Sequence, residues 1–140
     1  MEWQTDILKI STSGKGMYEI TSAVSTNIER WKVERGMCFL FIPHTSASLV
    51  LCEDYDPRSR NDVENYYERA VPENQSWYQH TSEGPDDSPS HIRSTLTHAS
   101  VSIPIDHGKL FLGTWQGIFL FEHRAHSQHR KVIISCLKAN

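Results

Sequence analysis

The chain has 140 residues, of which 38% are hydrophobic and 22% charged, and its net charge at pH 7 is −3. This length and composition predict one globular domain over residues 1–140. The acidic balance argues against a nucleic-acid partner, and no apolar run approaches the roughly 18 residues of a membrane span.

The N-terminus has no signal-peptide pattern, so we expect a cytoplasmic protein. The chain has three cysteines, at positions 38, 52 and 136, and each lies in or beside an apolar run. None forms a C-x-x-C pair, and we interpret all three as free thiols in a reducing compartment.

The first part of the chain indicates two strands followed by a helix. Residues 3–12 alternate in polarity as a strand does, and a glycine turn at 14–16 leads into residues 17–20, which predicts a hairpin. From Thr21 to about Glu34, apolar residues at spacings of four and three form one helical face. Gly36 stands where a C-capping glycine belongs.

A continuous apolar run at residues 37–42 predicts a central strand that is buried on both faces. The polar cluster at 43–48 interrupts the apolar character, which resumes at 49–51. Asp56 and the proline after it provide an N-cap and a first helical residue, and Pro72 ends this helix.

Residues 72–90 form a long loop without a periodic pattern, a feature that is usually functional or disordered. A short helix follows at 91–98, with Ile92 and Leu96 facing inward. Four further strands are predicted at residues 101–105, 110–112, 118–121 and 130–137, with a tight turn at 106–108. Seven to nine strands with two or three helices predict an α+β fold, a mostly antiparallel sheet or sandwich.

Histidines are abundant, eight in all, and three follow or begin separate predicted elements. His44 follows a buried strand, His80 lies in the long loop and His91 begins a helix. Three imidazoles from separate elements are typical of a zinc site with one open position. The alternative is surface histidines, one of which caps the helix. His123, His126 and His129 form either a second cation site or a solvated connection.

Acidic, hydroxyl and basic residues complete the candidate site. Glu53 and Asp56 are candidate catalytic carboxylates, acting as a base or as partners of a metal-bound imidazole. Asp56 also serves as a helix cap, whereas Glu53 has no evident capping role. The candidates for binding an anionic substrate are Thr45, Ser46, Thr114, Gln116, Arg124 and Arg130. For the two arginines, the alternative is surface charge that balances the acidic residues at 83–87.

Two glycines, Gly113 and Gly117, bracket the polar run Thr114-Trp115-Gln116. Glycine within a strand indicates a bulge or the close approach of a ligand. This stretch is either a kinked strand pair with a buried tryptophan or one wall of a pocket. We favour the pocket when the stretch is considered beside the histidines.

Several of these runs together resemble the YjbQ-like family, whose members are also labelled secondary thiamine-phosphate synthases. The matching runs are Pro43 to Leu49, Glu53, Asp56-Pro57, Pro89 to Ser94, Gly108, Gly113 to Ile118, Glu122 to Arg124, and Arg130, with Tyr78 and His80 between them. The resemblance covers about residues 3–137. It implies an α+β fold, a homotrimer, a histidine metal site and a weak thiamine-phosphate synthase activity.

We therefore expect a metal-dependent enzyme that acts on a small phosphorylated metabolite. The cofactor is a divalent metal, with zinc favoured by the histidines and magnesium as the alternative. Two other functions stay open: a zinc-dependent phosphoester hydrolase that uses the same histidines, and a non-catalytic protein that binds a metabolite or a metal. Neither a nucleic acid nor a membrane is an expected partner.

Overall fold

The protein is described by a computed structural model that covers residues 1–140. Eight strands and three helices follow one another along the chain. In order they are β1 (Glu2–Thr12), β2 (Gly16–Glu19), α1 (Thr21–Arg30), β3 (Gly36–Phe41), β4 (Ala47–Glu53), α2 (Pro57–Ala70), α3 (Asp87–Leu96), β5 (Ser100–Asp106), β6 (Lys109–Leu110), β7 (Gln116–Glu122) and β8 (Gln128–Lys138).

Two antiparallel sheets carry the fold, so the predicted α+β class is confirmed. One sheet has five strands in the order β1-β8-β3-β5-β6, and the other has three in the order β2-β7-β4. The inner faces of both sheets and the apolar face of α1 enclose a cluster of 16 buried apolar residues. Val24 and Ile28 are the buried apolar residues of α1, as their spacing predicts.

The predicted hairpin between residues 3–12 and 17–20 is wrong. Strand β1 pairs with β8 over its whole length, whereas β2 pairs with β7 in the other sheet. Gly14 and Gly16, with φ angles of 122° and 147°, carry the chain from one sheet to the other instead of folding it back. The long alternating strand β8 offers β1 eleven partners, where the four-residue β2 offers few.

Gly36 is a strand residue, so its predicted role as a helix cap is also wrong. Helix α1 ends at Arg30, and Lys32 adopts the left-handed φ of 54° just beyond it. A Cβ atom on Gly36 would lie 1.8 Å from the carbonyl oxygen of Leu137. Glycine is therefore required here because β3 and β8 approach so closely.

The start of α2 agrees with the prediction, whereas the start of α3 differs from it. Asp56 caps α2 as predicted, accepting a hydrogen bond from the backbone N–H of Arg58 at 3.0 Å. Helix α3 begins at Asp87, four residues before the expected start, and Leu96 near its end is 57% exposed and not inward-facing. Trp115 is 56% exposed, which excludes the kinked strand with a buried tryptophan.

All three cysteines are free thiols, as the sequence predicts. Cys38 and Cys136 are buried and stand directly opposite each other on β3 and β8. Their mutual hydrogen bond, together with burial, raises the pKa of Cys38. None of the three helices combines the length and the hydrophobicity that crossing a lipid bilayer requires.

Candidate functional site

Two imidazoles and one carboxylate converge where the long loop enters α3. Asp87 is the first residue of this helix, and His91 lies four residues later on the same face. His80, in the preceding loop, places its Nε2 atom 2.7 Å from Asp87 Oδ2. The Nε2 atom of His91 lies 3.2 Å from Asp87 Oδ1. The three potential ligand atoms all lie within 4.8 Å of one another.

The hydrogen bonds around this cluster leave two acceptor atoms, Asp87 Oδ2 and His91 Nε2, without a donor. His91 Nδ1 lies 2.9 Å from the carbonyl oxygen of Thr45, so it must donate its proton there. In a neutral ring, Nε2 then directs a lone pair at the carboxylate of Asp87. Asp87 Oδ2 is buried and has no hydrogen-bond partner, since its short contact with His80 is not aligned for one. A cation between these atoms would satisfy all three.

Arg124 fixes the position of Asp87. Its Nη1 atom lies 2.8 Å from Asp87 Oδ1, and its Nε atom lies 2.8 Å from Asp86 Oδ2. Its Nη2 atom donates to the carbonyl oxygen of Glu83 at 3.0 Å. The hydrogen bond to Asp86 raises the pKa of Arg124. The guanidinium therefore balances the acidic residues at 83–87, the alternative considered from the sequence, and its role in binding an anionic substrate stays a prediction.

His44 lines the same cavity but stands apart from the three-residue cluster. Its Nε2 atom accepts a hydrogen bond from the backbone N–H of Lys131 at 2.9 Å. Burial, and then the charge of Arg130, lowers the pKa of His44, which favours the neutral ring. A neutral imidazole with an accepting Nε2 carries its proton on Nδ1. In this arrangement His44 offers the cavity an N–H donor, and its role as a metal ligand stays a prediction.

The cavity around these residues has a volume of about 790 Å³. His44, His80 and His91 line it together with hydroxyl-bearing side chains. One of these, Ser94, has a buried Oγ atom without a hydrogen-bond partner. The cavity therefore places a candidate cation site beside hydroxyl-bearing side chains.

Two of the predicted anion-binding residues, Arg130 and Ser46, take part in a buried hydrogen-bond network that joins the two sheets. Arg130 on β8 is 6% exposed, and its Nε atom lies 2.8 Å from Oε1 of the fully buried Glu122 on β7. Its Nη2 atom donates to Ser46 Oγ at 2.8 Å. Thr12 on β1 donates to the same carboxylate at 2.7 Å. Hydrogen bonds within the protein therefore give both Arg130 and Ser46 a structural role.

The predicted catalytic carboxylates lie at the opposite end of the three-stranded sheet. Strand β4 runs from Ala47, near the cavity, to Glu53, which is roughly 20 Å along seven residues. Glu53 accepts the backbone N–H of Asp56 at 3.0 Å, so it has a local structural role that the sequence did not indicate. Neither carboxylate lines the histidine cavity.

The glycine-bracketed stretch lies at that same distant end, because Gln116 pairs with Glu53. Gln116 Oε1 accepts the backbone N–H of Gly113 at 2.8 Å, and Thr114 is exposed. The ring of Trp115 meets Tyr55 edge-on at 5.2 Å. Within one chain, this stretch is therefore not a wall of the histidine cavity.

The three histidines after β7 do not form a second cation site, since the only such cluster contains His80, Asp87 and His91. His123 is fully buried, so a solvated position is wrong for it, whereas His126 and His129 are exposed. The Nε2 atom of His123 lies 2.9 Å from Ser48 Oγ. Burial, with the nearby charge of Arg93, lowers the pKa of His123 to about 3.

Comparisons with known proteins show which family the chain resembles. A family model described as "UPF0047 protein YjbQ-like" matches residues 6–139. A UPF0047 protein of Synechocystis is 44% identical over 129 residues, covering 92% of this chain and 88% of its own. The UPF0047 protein YjbQ of Salmonella typhimurium is 42% identical over 132 residues, covering 94% and 95%. A crystal structure of a YjbQ/UPF0047 protein from Clostridium acetobutylicum superposes with a TM-score of 0.87 at 32% identity, covering 94% of this chain and 99% of the other.

Proposed function

The chain belongs to the YjbQ-like UPF0047 family, and from that premise we propose that it is a divalent-metal enzyme that acts on a small phosphorylated metabolite. The metal is held by His80, Asp87 and His91. One observation carries this assignment: the buried Asp87 carboxylate receives two imidazole nitrogens without an aligned hydrogen bond from either. Arg124 pairs with Asp87 Oδ1, but Oδ2 is left as a buried acceptor without a hydrogen bond, a costly state that a metal ion between Asp87 and the two imidazoles would relieve.

The donor set favours zinc over magnesium. Two imidazoles and one carboxylate match catalytic zinc sites that keep a fourth position open, whereas magnesium prefers oxygen ligands and water. When bound, zinc supplies a Lewis acid for a phosphoryl oxygen or a water of lowered pKa. His44 becomes a fourth ligand only if its ring gives up the bond from the Lys131 N–H.

The residues of the chain prepare this site in three ways. The carbonyl oxygen of Thr45 sets the tautomer of His91, which leaves Nε2 free to bind a metal. Arg124 holds the Asp87 carboxylate in place. The Nδ1–H of His44, a residue that lines the cavity, offers a hydrogen bond to a bound substrate.

Two reactions fit a phosphorylated substrate at this position. The first is a weak transfer of the thiamine-phosphate synthase type, in which diphosphate departs from one substrate as the other attacks. The second is hydrolysis of a phosphoester, which the donor set favours because such zinc sites activate water. A phosphatase substrate and a thiamine-forming assay distinguish the two. A protein that gains thermal stability from a phosphorylated ligand but turns over neither substrate is a binding protein.

We also propose a homotrimer in the cytoplasm. The outer face of the five-stranded sheet carries Trp3, Ile7 and Phe41, which are 59%, 47% and 47% exposed. An apolar face of this kind supports burial against another copy. Light scattering of the purified protein measures the assembly, and a monomer would contradict the trimer. The free thiols support a reducing compartment.

Elemental analysis after exposure to zinc and gel filtration tests the metal assignment. We expect about one zinc per chain in the parent protein, and its loss in both Asp87→Asn and His91→Ala. The matched control is His126→Ala, because His126 is exposed and outside the cluster. Unchanged zinc in the first two variants would refute the site. His44→Ala decides whether His44 is also a ligand.

A further inference from the structure

His44 takes the place beside β8 that the next residues of β3 would otherwise fill. Strand β3 ends at Phe41, which pairs with Ile133, and Pro43 has no N–H with which to continue the ladder. The backbone N–H of Lys131 donates instead to His44 Nε2, at 2.9 Å. The imidazole is thereby fixed beside residues 130 and 131, with its own proton on Nδ1.

Arg130 keeps two of its five N–H donors free. A guanidinium has one N–H on Nε and two on each Nη atom. Glu122 accepts from Nε at 2.8 Å and from Nη2 at 2.5 Å, and Nη2 also donates to Ser46 Oγ at 2.8 Å. Nη1 has no such partner. Unlike the unpartnered Nε atom of Arg93, it is not enclosed by protein, so it opens on the space that Arg130 lines.

Arg130 and His44 line the same groove, which has a volume of about 470 Å³. The other residues that line it are apolar or carry hydroxyl groups, and none is acidic. The side chains are near neighbours, because burial, and then the charge of Arg130, lowers the pKa of His44. The bond from Arg130 to Ser46, two residues after His44, also holds them together. The groove shares His44, Thr45 and Ala99 with the histidine cavity, so the two spaces adjoin.

Free N–H donors in a groove without acidic side chains fit an oxyanion, because hydrogen bonds to a charged acceptor are strong. We propose that Arg130 Nη1 and the Nδ1–H of His44 form an oxyanion subsite that binds a second anionic group of the substrate, a carboxylate or a phosphoryl group. The reacting phosphoryl group lies at the cation site, and this second group lies in the adjoining groove. The link to a substrate rests on the proposed function, whereas the subsite itself needs no metal.

NMR titration of the metal-free, nitrogen-15-labelled protein tests the subsite with inorganic phosphate and with acetate, in a buffer that contains neither. We expect the backbone signals of His44 and Lys131 to shift and saturate, and the anion that binds more tightly identifies the group. His44→Phe removes one donor and should weaken binding about tenfold, the loss that corresponds to one charge-assisted hydrogen bond. The matched control is Arg58→Met, because Arg58 is exposed and outside the groove, and it should bind as the parent does.

The guanidinium is tested by a double variant, Glu122→Gln/Arg130→Met, which removes the Nη1 donors without leaving a buried carboxylate unpaired. It should bind the anion at least tenfold more weakly, and urea unfolding shows whether it folds. Parent-like affinity in His44→Phe would overturn the subsite, as would the absence of saturable binding by the parent. If the parent binds the anion in this way but holds no zinc, the metal function fails and the subsite stands. Zinc binding without anion binding gives the reverse.

Discussion

The buried ion pair between Glu122 and Arg130 allows a quantitative test of how the two sheets are joined. Glu122→Gln keeps the side-chain volume but removes the charge and turns one acceptor atom into a donor. The carboxylate accepts hydrogen bonds from Arg130 Nε at 2.8 Å, from Arg130 Nη2 at 2.5 Å and from Thr12 Oγ1 at 2.7 Å. The substitution therefore leaves a guanidinium that is 6% exposed without its counter-ion.

Breaking a buried pair in this way costs about 3–5 kcal/mol. That loss is a large part of the roughly 5–15 kcal/mol by which most domains are stable. Urea unfolding followed by tryptophan fluorescence, at one fixed protein concentration, measures it. The double variant Glu122→Gln/Arg130→Met should recover much of the loss, because it leaves no orphaned charge.

An exposed ion pair provides the matched control. Arg58 and Asp56 form a pair in which the arginine side chain is 88% exposed. Arg58→Met should change the free energy of unfolding by less than about 1 kcal/mol. A loss below about 1 kcal/mol for Glu122→Gln as well would refute the reasoning, since it would mean that water reaches Arg130.

Two further predictions concern packing and pH. Gly36→Ala should lower the free energy of unfolding by more than about 3 kcal/mol or prevent folding, because the added Cβ atom would meet the backbone of β8. In the control Gly113→Ala, the added Cβ atom meets only a flexible side chain, at 3.2 Å. Equal urea midpoints for the two variants would contradict this prediction. Native His123 has a pKa lowered to about 3, so the unfolded chain takes up this proton first and stability falls as the pH drops from about 6.5 towards 3. The His123→Gln variant has no imidazole at this position and so lacks this loss. In urea unfolding, the free energy of unfolding of the variant should fall between pH 7 and pH 5 by about 2 kcal/mol less than that of the parent. An equal fall in both proteins would show that His123 does not titrate in this way.

The sequence locates most strands but not their partners. The apolar runs at 101–105, 118–121 and 130–137 lie within β5, β7 and β8, since alternation and β-branched residues are local properties. The pairing of β1 with β8 is not local, and a nearby glycine turn suggested the hairpin instead. Gly36 shows the same limit. Glycine is required there because a Cβ atom would meet the backbone of Leu137, which lies far away in the sequence.

The site was predictable in part for a similar reason. His80 and His91 stand out as residue types, and the structure brings them together. Asp87 was missed because the helix was expected to begin at His91, which hides the spacing of four between them. A start at Asp86-Asp87, followed by a proline in the first turn, is a helix signal that would have revealed it. The partners of Arg124 and Arg130 depend on tertiary contacts, which residue type does not show.

The pairing of β1 with β8 also has a consequence for how the protein is made. Paired residues such as Thr5 and Ser135 are 130 positions apart, so almost the whole chain must be synthesised before the five-stranded sheet can close. Until then β1 has no partner, and β3 lacks the neighbour on one of its edges. Contacts this distant in sequence slow folding and leave strand edges open to other chains. On the ribosome, the facing edges of β1 and β3 therefore stay unpaired until β8 emerges and fills the gap between them.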